Sequence, residues 1–165
     1  FVINIREGIF PNKSPQTSAR LSPVAEIDFA NYSKIEFVFN NDMEKLNLIR
    51  GNDGSWVLVD HPERPLPQEE IQKVLMMAVG LSKVSEMNSS MVFTDRRLNP
   101  PIARLSLYTN DGSTRFIEIG KVDQDSGQYN IRIDSGNPIL ADFQTIYMIL
   151  KIFYMKVLPV SLQDL

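Results

Sequence analysis

The fold of this chain is decided by residues 46–81, LNLIRGNDGSWVLVDHPERPLPQEEIQKVLMMAVGL. The first part has two short aliphatic runs on either side of Gly51-Asn52-Asp53-Gly54, and Asn, Asp and Gly tolerate the positive φ that tight hairpin turns require. We therefore predict two antiparallel strands over 45–50 and 56–59. Leu46 and Leu48 alternate with polar neighbours, which places them on the core face.

The second part of this stretch is predicted to be a helix that covers the hairpin. Prolines interrupt residues 60–67, and Gln68 then opens a helix whose first turn holds Glu69 and Glu70, where the macrodipole favours acids. Its apolar residues recur at helical spacing and share one face: Ile71, Val74, Leu75, Ala78 and Val79. We expect this helix to end near Gly80, with a short strand over 84–87, and Trp56 to anchor the packing.

The same order of elements recurs in the second half of the chain. After a strand at 35–39, the alternating pattern predicts strands over 103–109, 115–120 and 128–133, and Asn110 to Ser113 repeat the letters of Asn52 to Ser55. Asp142 can cap a second helix that Pro159 ends. Its apolar face is Phe143, Ile146, Tyr147, Leu150, Phe153 and Tyr154. The predicted class is α+β, a mainly antiparallel sheet built from β-hairpins with two helices packed on one face.

The chain divides into an arm, one domain and a tail. Residues 1–23 are rich in Gly, Pro, Ser and Asn and are predicted to be an N-terminal arm or linker. Residues 24–158 form a single α+β domain, and residues 159–165 form a C-terminal tail. The chain opens on Phe1, so we expect a removed membrane anchor, signal peptide or tag before it. The opening residues are either the exit of a membrane helix or an edge strand.

Composition excludes several classes of protein. The net charge is −3 and no block of Lys and Arg stands out, which argues against nucleic-acid binding and against a polybasic membrane patch. The chain has no cysteine, which excludes disulfides, thiolate zinc sites and cysteine nucleophiles. No run of 18 apolar residues occurs, which predicts no membrane-spanning helix.

No residue set points to catalysis or to a cofactor. His61 is the sole histidine, and a triad or a zinc site would need partners that the sequence does not display. Residues 123–134 partly resemble a calcium loop, but Gln128 and Asp134 stand where glycine and glutamate are expected, which favours a hairpin turn. Glu69 and Glu70 point about 100° apart on a helix and suit dipole compensation better than acid–base work. We predict a non-enzymatic protein with no catalytic, cofactor-binding or metal-binding residues.

Two pairs of residues are candidate partner contacts. Arg96 and Arg97 can clamp an anion or an acidic partner, although a solvated loop is the favoured explanation for them. Tyr154 and Met155 can remain exposed at the end of the second helix as a contact patch, although aromatic residues at helical spacing are more often core.

A series of short motifs resembles a known bacterial family. These are the Gly-Ser-Trp-Val-Leu hairpin (54–58), Leu-Asn-Pro-Pro-Ile-Ala-Arg-Leu (98–105), Asp-Gly-Ser (111–113), an Ile-Gly strand end at 119–120, and Tyr129. Their succession resembles the family called domain of unknown function 4340. The resemblance implies an extracytoplasmic domain, often behind an N-terminal membrane helix and beside ABC-type transport or gliding-motility-like components. It supplies no catalytic residues. The chain departs from the pattern at Arg96-Arg97, where family members often have Tyr-Gly.

Three functions remain open at this point. The leading hypothesis is a non-catalytic extracytoplasmic interaction module of a membrane-tethered protein, accessory to an ABC-type system, with membrane proteins as partners and no nucleic acid. The second is a ligand-binding domain with a pocket between sheet and helices for a small ligand such as a lipid or glycan. The third, a hydrolase, needs His61 or a carboxylate pair in a cleft.

Overall fold

The structure is a computed structural model that describes residues 29–87, 98 and 100–163 of the chain. The predicted arm (1–23) and the expected anchor before it lie outside the described residues. So do residues 88–97, which include Arg96 and Arg97.

The described residues build one seven-stranded antiparallel sheet in the order β3-β2-β1-β4-β5-β6-β7. The strands pair in antiparallel register, with Phe37 opposite Leu46 on one side and Leu105 on the other, and the register shifts between Tyr32 and Lys34 and between Ile119 and Val122. A 3-10 turn, Phe29–Asn31, precedes the sheet. The strands are β1 (Tyr32–Phe39), β2 (Glu44–Arg50), β3 (Trp56–Leu58), β4 (Ala103–Thr109), β5 (Thr114–Val122), β6 (Tyr129–Ile133) and β7 (Ile139–Ala141).

Two helices cover one face of this sheet. Helix α1 is Gln68–Met87, and helix α2 is Phe143–Ser161. Within α2, an α-helical part (Phe143–Ile152) is followed by a π-helical turn (Phe153–Val157) and a last α-helical turn (Leu158–Ser161). Residues of both helices share one hydrophobic core with every second residue of the strands. The predicted α+β class, with an antiparallel sheet and helices on one face, is confirmed.

The other face of the sheet is polar and charged, as expected for a face that neither of the two described helices covers. Glu36 lies 3.5 Å from Lys34 Nζ and 3.8 Å from Lys45 Nζ, and it accepts a hydrogen bond from the Tyr108 hydroxyl. Arg104 and Arg132 both face Glu118, at 3.7 Å and 3.4 Å. The sheet therefore separates an apolar core from a ladder of opposite charges.

Helix α1 is longer than the sequence predicts, because it continues past Gly80 to Met87 and no strand forms over 84–87. Gly80 does not adopt the positive φ of a helix terminus. Leu81 is buried three residues after buried Ala78, so the core-facing pattern continues through the glycine. Packing of this face outweighs the cost of about 1 kcal/mol that glycine brings to a helix interior.

Helix α2 also runs further than predicted, because Pro159 does not end it. The Leu158 N–H donates to the Phe153 carbonyl across the π-helical turn, and Pro159 then stands in the first turn of the final α-helical segment. The N–H groups at the start of a helical segment have no regular partner, so a proline, which has no N–H, loses no hydrogen bond there. The π turn is what admits this proline within a continuous helix.

Arg64 fixes the end of α2 to the turn between β3 and α1. Its guanidinium is buried and donates to the carbonyls of Val160 and Ser161, at 3.1 Å and 3.0 Å. Carbonyls at a helix C-terminus have no partners inside the helix and carry the negative end of the macrodipole. Arg64 therefore caps α2 and sets the position of its last turns, where the candidate site lies.

By length and composition, Phe143–Ser161 is a helix that could cross a membrane, and it is the one such helix in the part of the chain that the structure describes. The sequence criterion of an unbroken apolar run missed it because Lys151 and Lys156 interrupt the run. Its buried side chains, Ile146, Ile149 and Phe153 among them, pack in the domain core. The core helix of a globular domain has the same length and composition.

Candidate binding cleft beside Tyr154

Tyr154 stands at the edge of the core with its ring held in a defined orientation. The ring lies edge-on to Phe37 and Phe39, with centroids 5.6 Å and 5.3 Å apart and interplanar angles of 82° and 86°. Phe37 in turn stacks on Phe153 at 4.2 Å. Edge-to-face contacts favour one arrangement of the ring. Tyr154 is nevertheless 37% exposed, so part of a braced aromatic side chain faces solvent.

The turn that joins β1 to β2 lies beside this ring. Asn40, Asn41 and Asp42 all have positive φ, at 56°, 55° and 66°, and the Met43 N–H closes the turn on the Asn40 carbonyl at 3.0 Å. Asn and Asp are the residues other than glycine that adopt this conformation most readily. The Asn40 amide also donates to Glu44, which fixes the side chain at the start of β2.

A cleft of about 440 Å³ opens between the turn, the entry to β4, the end of β5 and α2. We call it the Tyr154 cleft. Its lining mixes apolar and polar side chains in similar measure. It is lined by Phe39, Asn40, Asn41, Pro100, Pro101, Ile102, Lys121 and Tyr154.

The Tyr154 cleft presents hydrogen-bond donors, hydrogen-bond acceptors and one cation. Burial raises the pKa of the Tyr154 hydroxyl, and the negative charge of Glu44 raises it further, so the phenol stays protonated at neutral pH and can donate a hydrogen bond. The amides of Asn40 and Asn41 offer donors and acceptors, and Lys121 offers a cation. The lining that the structure describes has no carboxylate, histidine or serine, and its titratable side chains are Tyr154 and Lys121.

Of the four predicted partner contacts, the structure places two. Tyr154 is a wall of the cleft, and Met155 follows it with 63% exposure on the outer side of α2. Arg96 and Arg97 lie outside the described residues, so their prediction as contacts stays a prediction.

The sequence did not identify the other residues of the cleft. Asn40 and Asn41 belong to the turn after β1, and Pro100 to Ile102 directly precede β4. Their position beside Tyr154 depends on β1 and β4 being adjacent, which the pairing of Phe39 with Ala103 establishes. That adjacency joins residues about sixty positions apart, and no local pattern records it.

His61 lies in a different place, at a groove of about 200 Å³ between β2 and the end of α2. Asp60 and Ser161 line the same groove, so the three residue types of a hydrolytic triad occur there together. The Ser161 hydroxyl donates to the Leu158 carbonyl at 2.8 Å, and His61 Nδ1 faces Glu63 at 3.9 Å. No serine–histidine hydrogen bond is formed, so this groove lends no support to the hydrolase hypothesis.

Residues 123–128, the first part of the stretch that partly resembles a calcium loop, are a hairpin connection between β5 and β6. Asp123 accepts from the Ser126 N–H at 2.9 Å, while Asp134 is turned to Arg115 at 3.1 Å. The two carboxylates that a calcium loop would direct at one ion thus have separate partners. Among the described residues, no cluster of three or more His, Asp or Glu side chains could hold a metal ion.

Fold and cleft together define a class, a two-layer α+β domain with a solvent-open cleft at one end of its sheet. Comparisons of the chain with protein-family models, with curated proteins and with solved structures gave no match.

Proposed function

We propose that this domain is a non-catalytic interaction module that binds a protein partner at the Tyr154 cleft. In this proposal it belongs to a membrane-tethered, extracytoplasmic protein that assists an ABC-type transport system. The succession of motifs at residues 54–58 and 98–105 supports that setting through the family they resemble.

The observation that carries the proposal is the braced ring of Tyr154. A partner that binds a mobile side chain loses about 0.5–1.5 kcal/mol in ordering it, whereas a ring held by Phe37 and Phe39 is already ordered. Tyrosine is also among the residues that dominate protein interfaces, because it combines a large apolar surface with a polar tip. Tyr154 therefore has the properties of an interface anchor.

The rim of the cleft suits a peptide segment or loop of the partner. The lining combines exposed polar side chains, those of Asn40, Asn41 and Lys121, with the apolar side chains of Ile102 and Pro101. Specific interfaces likewise combine apolar and polar contacts. Backbone groups of an incoming segment can pair with the two amides, and an apolar side chain can pack on Tyr154.

Site-specific photo-crosslinking tests this proposal. A photoreactive amino acid replaces Ile102 in the full-length protein, and native membranes are irradiated. We expect a discrete crosslinked protein that Tyr154→Ala removes. Phe116→Ala is the control, because Phe116 is 42% exposed on the opposite face of the sheet and should leave the crosslink unchanged. Recovery of the domain alone, without any crosslinked protein, would contradict the proposal.

A second candidate function is the binding of a small ligand, such as a glycan or a lipid, in the same cleft. Its volume of about 440 Å³ falls within the usual size of small-molecule sites, about 300–1,000 Å³. Native mass spectrometry of the purified domain separates the two functions. A retained small molecule that Tyr154→Ala releases would favour the ligand-binding domain over the protein-binding module.

A further inference from the structure

The outer side of α2 carries a band of apolar side chains away from the core. We call Tyr147, Met148, Lys151 and Met155 the α2 outer stripe. Tyr147, Met148 and Met155 are 44%, 39% and 63% exposed. The buried residues of Phe143–Ser161 are Ile146, Ile149, Leu150, Ile152, Phe153 and Val157, which lie on the opposite side of the helix. A helix that needed apolar residues for its core contacts alone would not present them on its outer side as well.

The charges on this helix all have one sign. Lys151 and Lys156 are exposed, and no Asp or Glu occurs between Phe143 and Ser161, although the chain as a whole has a net charge of −3. Lysine can extend its ammonium group away from an apolar surface while its methylene stem packs against it. The helix therefore combines exposed apolar area with a local positive charge.

We propose that the α2 outer stripe docks the domain onto the surface of an anionic lipid bilayer. In this arrangement α2 lies along the surface, Met148 and Met155 enter the acyl boundary, and Tyr147 takes the interfacial position that tyrosine favours. Lys151 and Lys156 pair with anionic headgroups. This inference goes beyond the protein-binding function, because it uses a different surface from the Tyr154 cleft.

The charge pattern favours lipid over a second copy of the chain. A two-fold dimer through this stripe would place the same patch on both sides, and the lysines of the two copies would meet without a carboxylate from either stripe. Anionic headgroups supply the missing negative charge. The acyl boundary beneath the headgroups accepts an apolar helix face without requiring a surface of matching shape.

Vesicle co-sedimentation tests the docking. The purified protein is mixed with vesicles of phosphatidylcholine alone or of phosphatidylcholine with phosphatidylglycerol, and the bound fraction is measured. We expect binding to the anionic vesicles that weakens as salt is raised. Lys151→Glu should weaken binding about fivefold or more, since each basic residue near such a surface contributes about that factor. Met148→Asp should weaken it about tenfold or more through loss of apolar burial.

Phe116→Asp is the matched control, with similar exposure on the opposite face of the sheet, and it should bind as the parent does. Equal binding by all variants, or no binding to anionic vesicles, would overturn the proposal. A dimer in solution that Met148→Asp dissociates would likewise overturn it and assign the stripe to a second copy. Tyr154→Ala should leave vesicle binding intact, so a failure here is distinguishable from a failure of the cleft.

Discussion

The guanidinium of Arg50 lies over the ring of Trp56, with its central carbon 4.5 Å from the ring centroid. The same guanidinium donates to three backbone carbonyls, those of Tyr32 at 2.9 Å, Gly54 at 2.9 Å and Phe29 at 2.8 Å. It therefore joins the 3-10 turn before β1 to the β2–β3 hairpin, on top of the tryptophan that the hairpin buries. One side chain fixes the first edge of the sheet.

Replacing this arginine should destabilise the domain even when the charge is kept. Lysine cannot reach three carbonyls from one position, and it lacks the flat group that stacks on an indole. We expect Arg50→Lys to lower the free energy of unfolding by about 1.5–3 kcal/mol, measured by chemical denaturation.

Arg115→Lys provides the comparison. Arg115 pairs with Asp134 at 3.1 Å, and the two side chains are 41% and 40% exposed. Exposed ion pairs contribute about 0–1 kcal/mol, so this substitution should change the unfolding free energy by less than about 0.5 kcal/mol. Equal losses for the two arginines would show that Arg50 acts as an ordinary surface charge.

Trp56 should be the most costly residue of the hairpin to truncate. Trp56 is 2% exposed. The Gln68 side chain accepts from the backbone N–H of Trp56 at 2.7 Å and donates to its backbone carbonyl at 2.8 Å, which closes the edge of β3. We expect Trp56→Ala to lower the unfolding free energy by about 3–5 kcal/mol. Trp56→Phe should cost less, because within the described residues the indole Nε1 has no hydrogen-bond partner to lose. An unchanged denaturation midpoint for Trp56→Ala would contradict this role.

Gly80 is a site where a substitution should stabilise the protein. It stands inside α1 without positive φ, and no described atom lies within 4 Å of where a Cβ would be. Alanine restricts the unfolded chain more than glycine does and costs nothing in a helix. Gly80→Ala should raise the unfolding free energy by about 0.5–1 kcal/mol. A loss of stability would mean that the position is more crowded than its described neighbours indicate.

Asp53 and Asp111 occupy the same position in the two Asn-Asp-Gly-Ser turns, and both should have a pKa below the ordinary aspartate value. Hydrogen bonds from Ser55, the hydroxyl first and then the N–H, lower the pKa of Asp53. The Thr109 hydroxyl, then Ser113, lowers the pKa of Asp111. A lowered folded-state pKa stabilises the fold above the unfolded-state pKa, and this stabilisation is lost as pH falls through the folded-state pKa.

Carbon-detected NMR of the side-chain carboxyls measures these titrations. Both midpoints should lie below the ordinary aspartate value. Ser55→Ala should move the midpoint of Asp53 upward, and Thr109→Val that of Asp111, each without affecting the other. Midpoints that these substitutions leave in place would show that the turn hydrogen bonds do not form in solution.

Local patterns in the sequence predicted most of the sheet. Alternation located β2, β4 and β6 within a residue or two, and turn chemistry located the two hairpins in which Gly54 and Gly112 take positive φ. These features depend on neighbours in the chain, so the chain records them locally. Asp142 caps α2 through the Thr145 N–H at 3.0 Å, as its residue type predicts.

The features that the sequence did not predict, the two helix ends and the cleft, share one physical cause. Gly80 and Pro159 are helix breakers by intrinsic propensity, but burial of Leu81 and the π turn before Pro159 override that preference. The Tyr154 cleft is assembled from residues that meet only because β4 inserts beside β1. Tertiary packing decides these features, and a single sequence carries no local signal for them.

The most direct test of the account is the effect of Tyr154→Ala on partner capture and on stability, measured on the same preparation. Loss of two edge-on ring contacts should lower the unfolding free energy by about 1–3 kcal/mol and leave the protein folded. The account predicts that crosslinking from position 102 then falls about tenfold or more, as for an interface anchor. Undiminished crosslinking in a folded Tyr154→Ala protein would contradict the assignment of the Tyr154 cleft as the binding site.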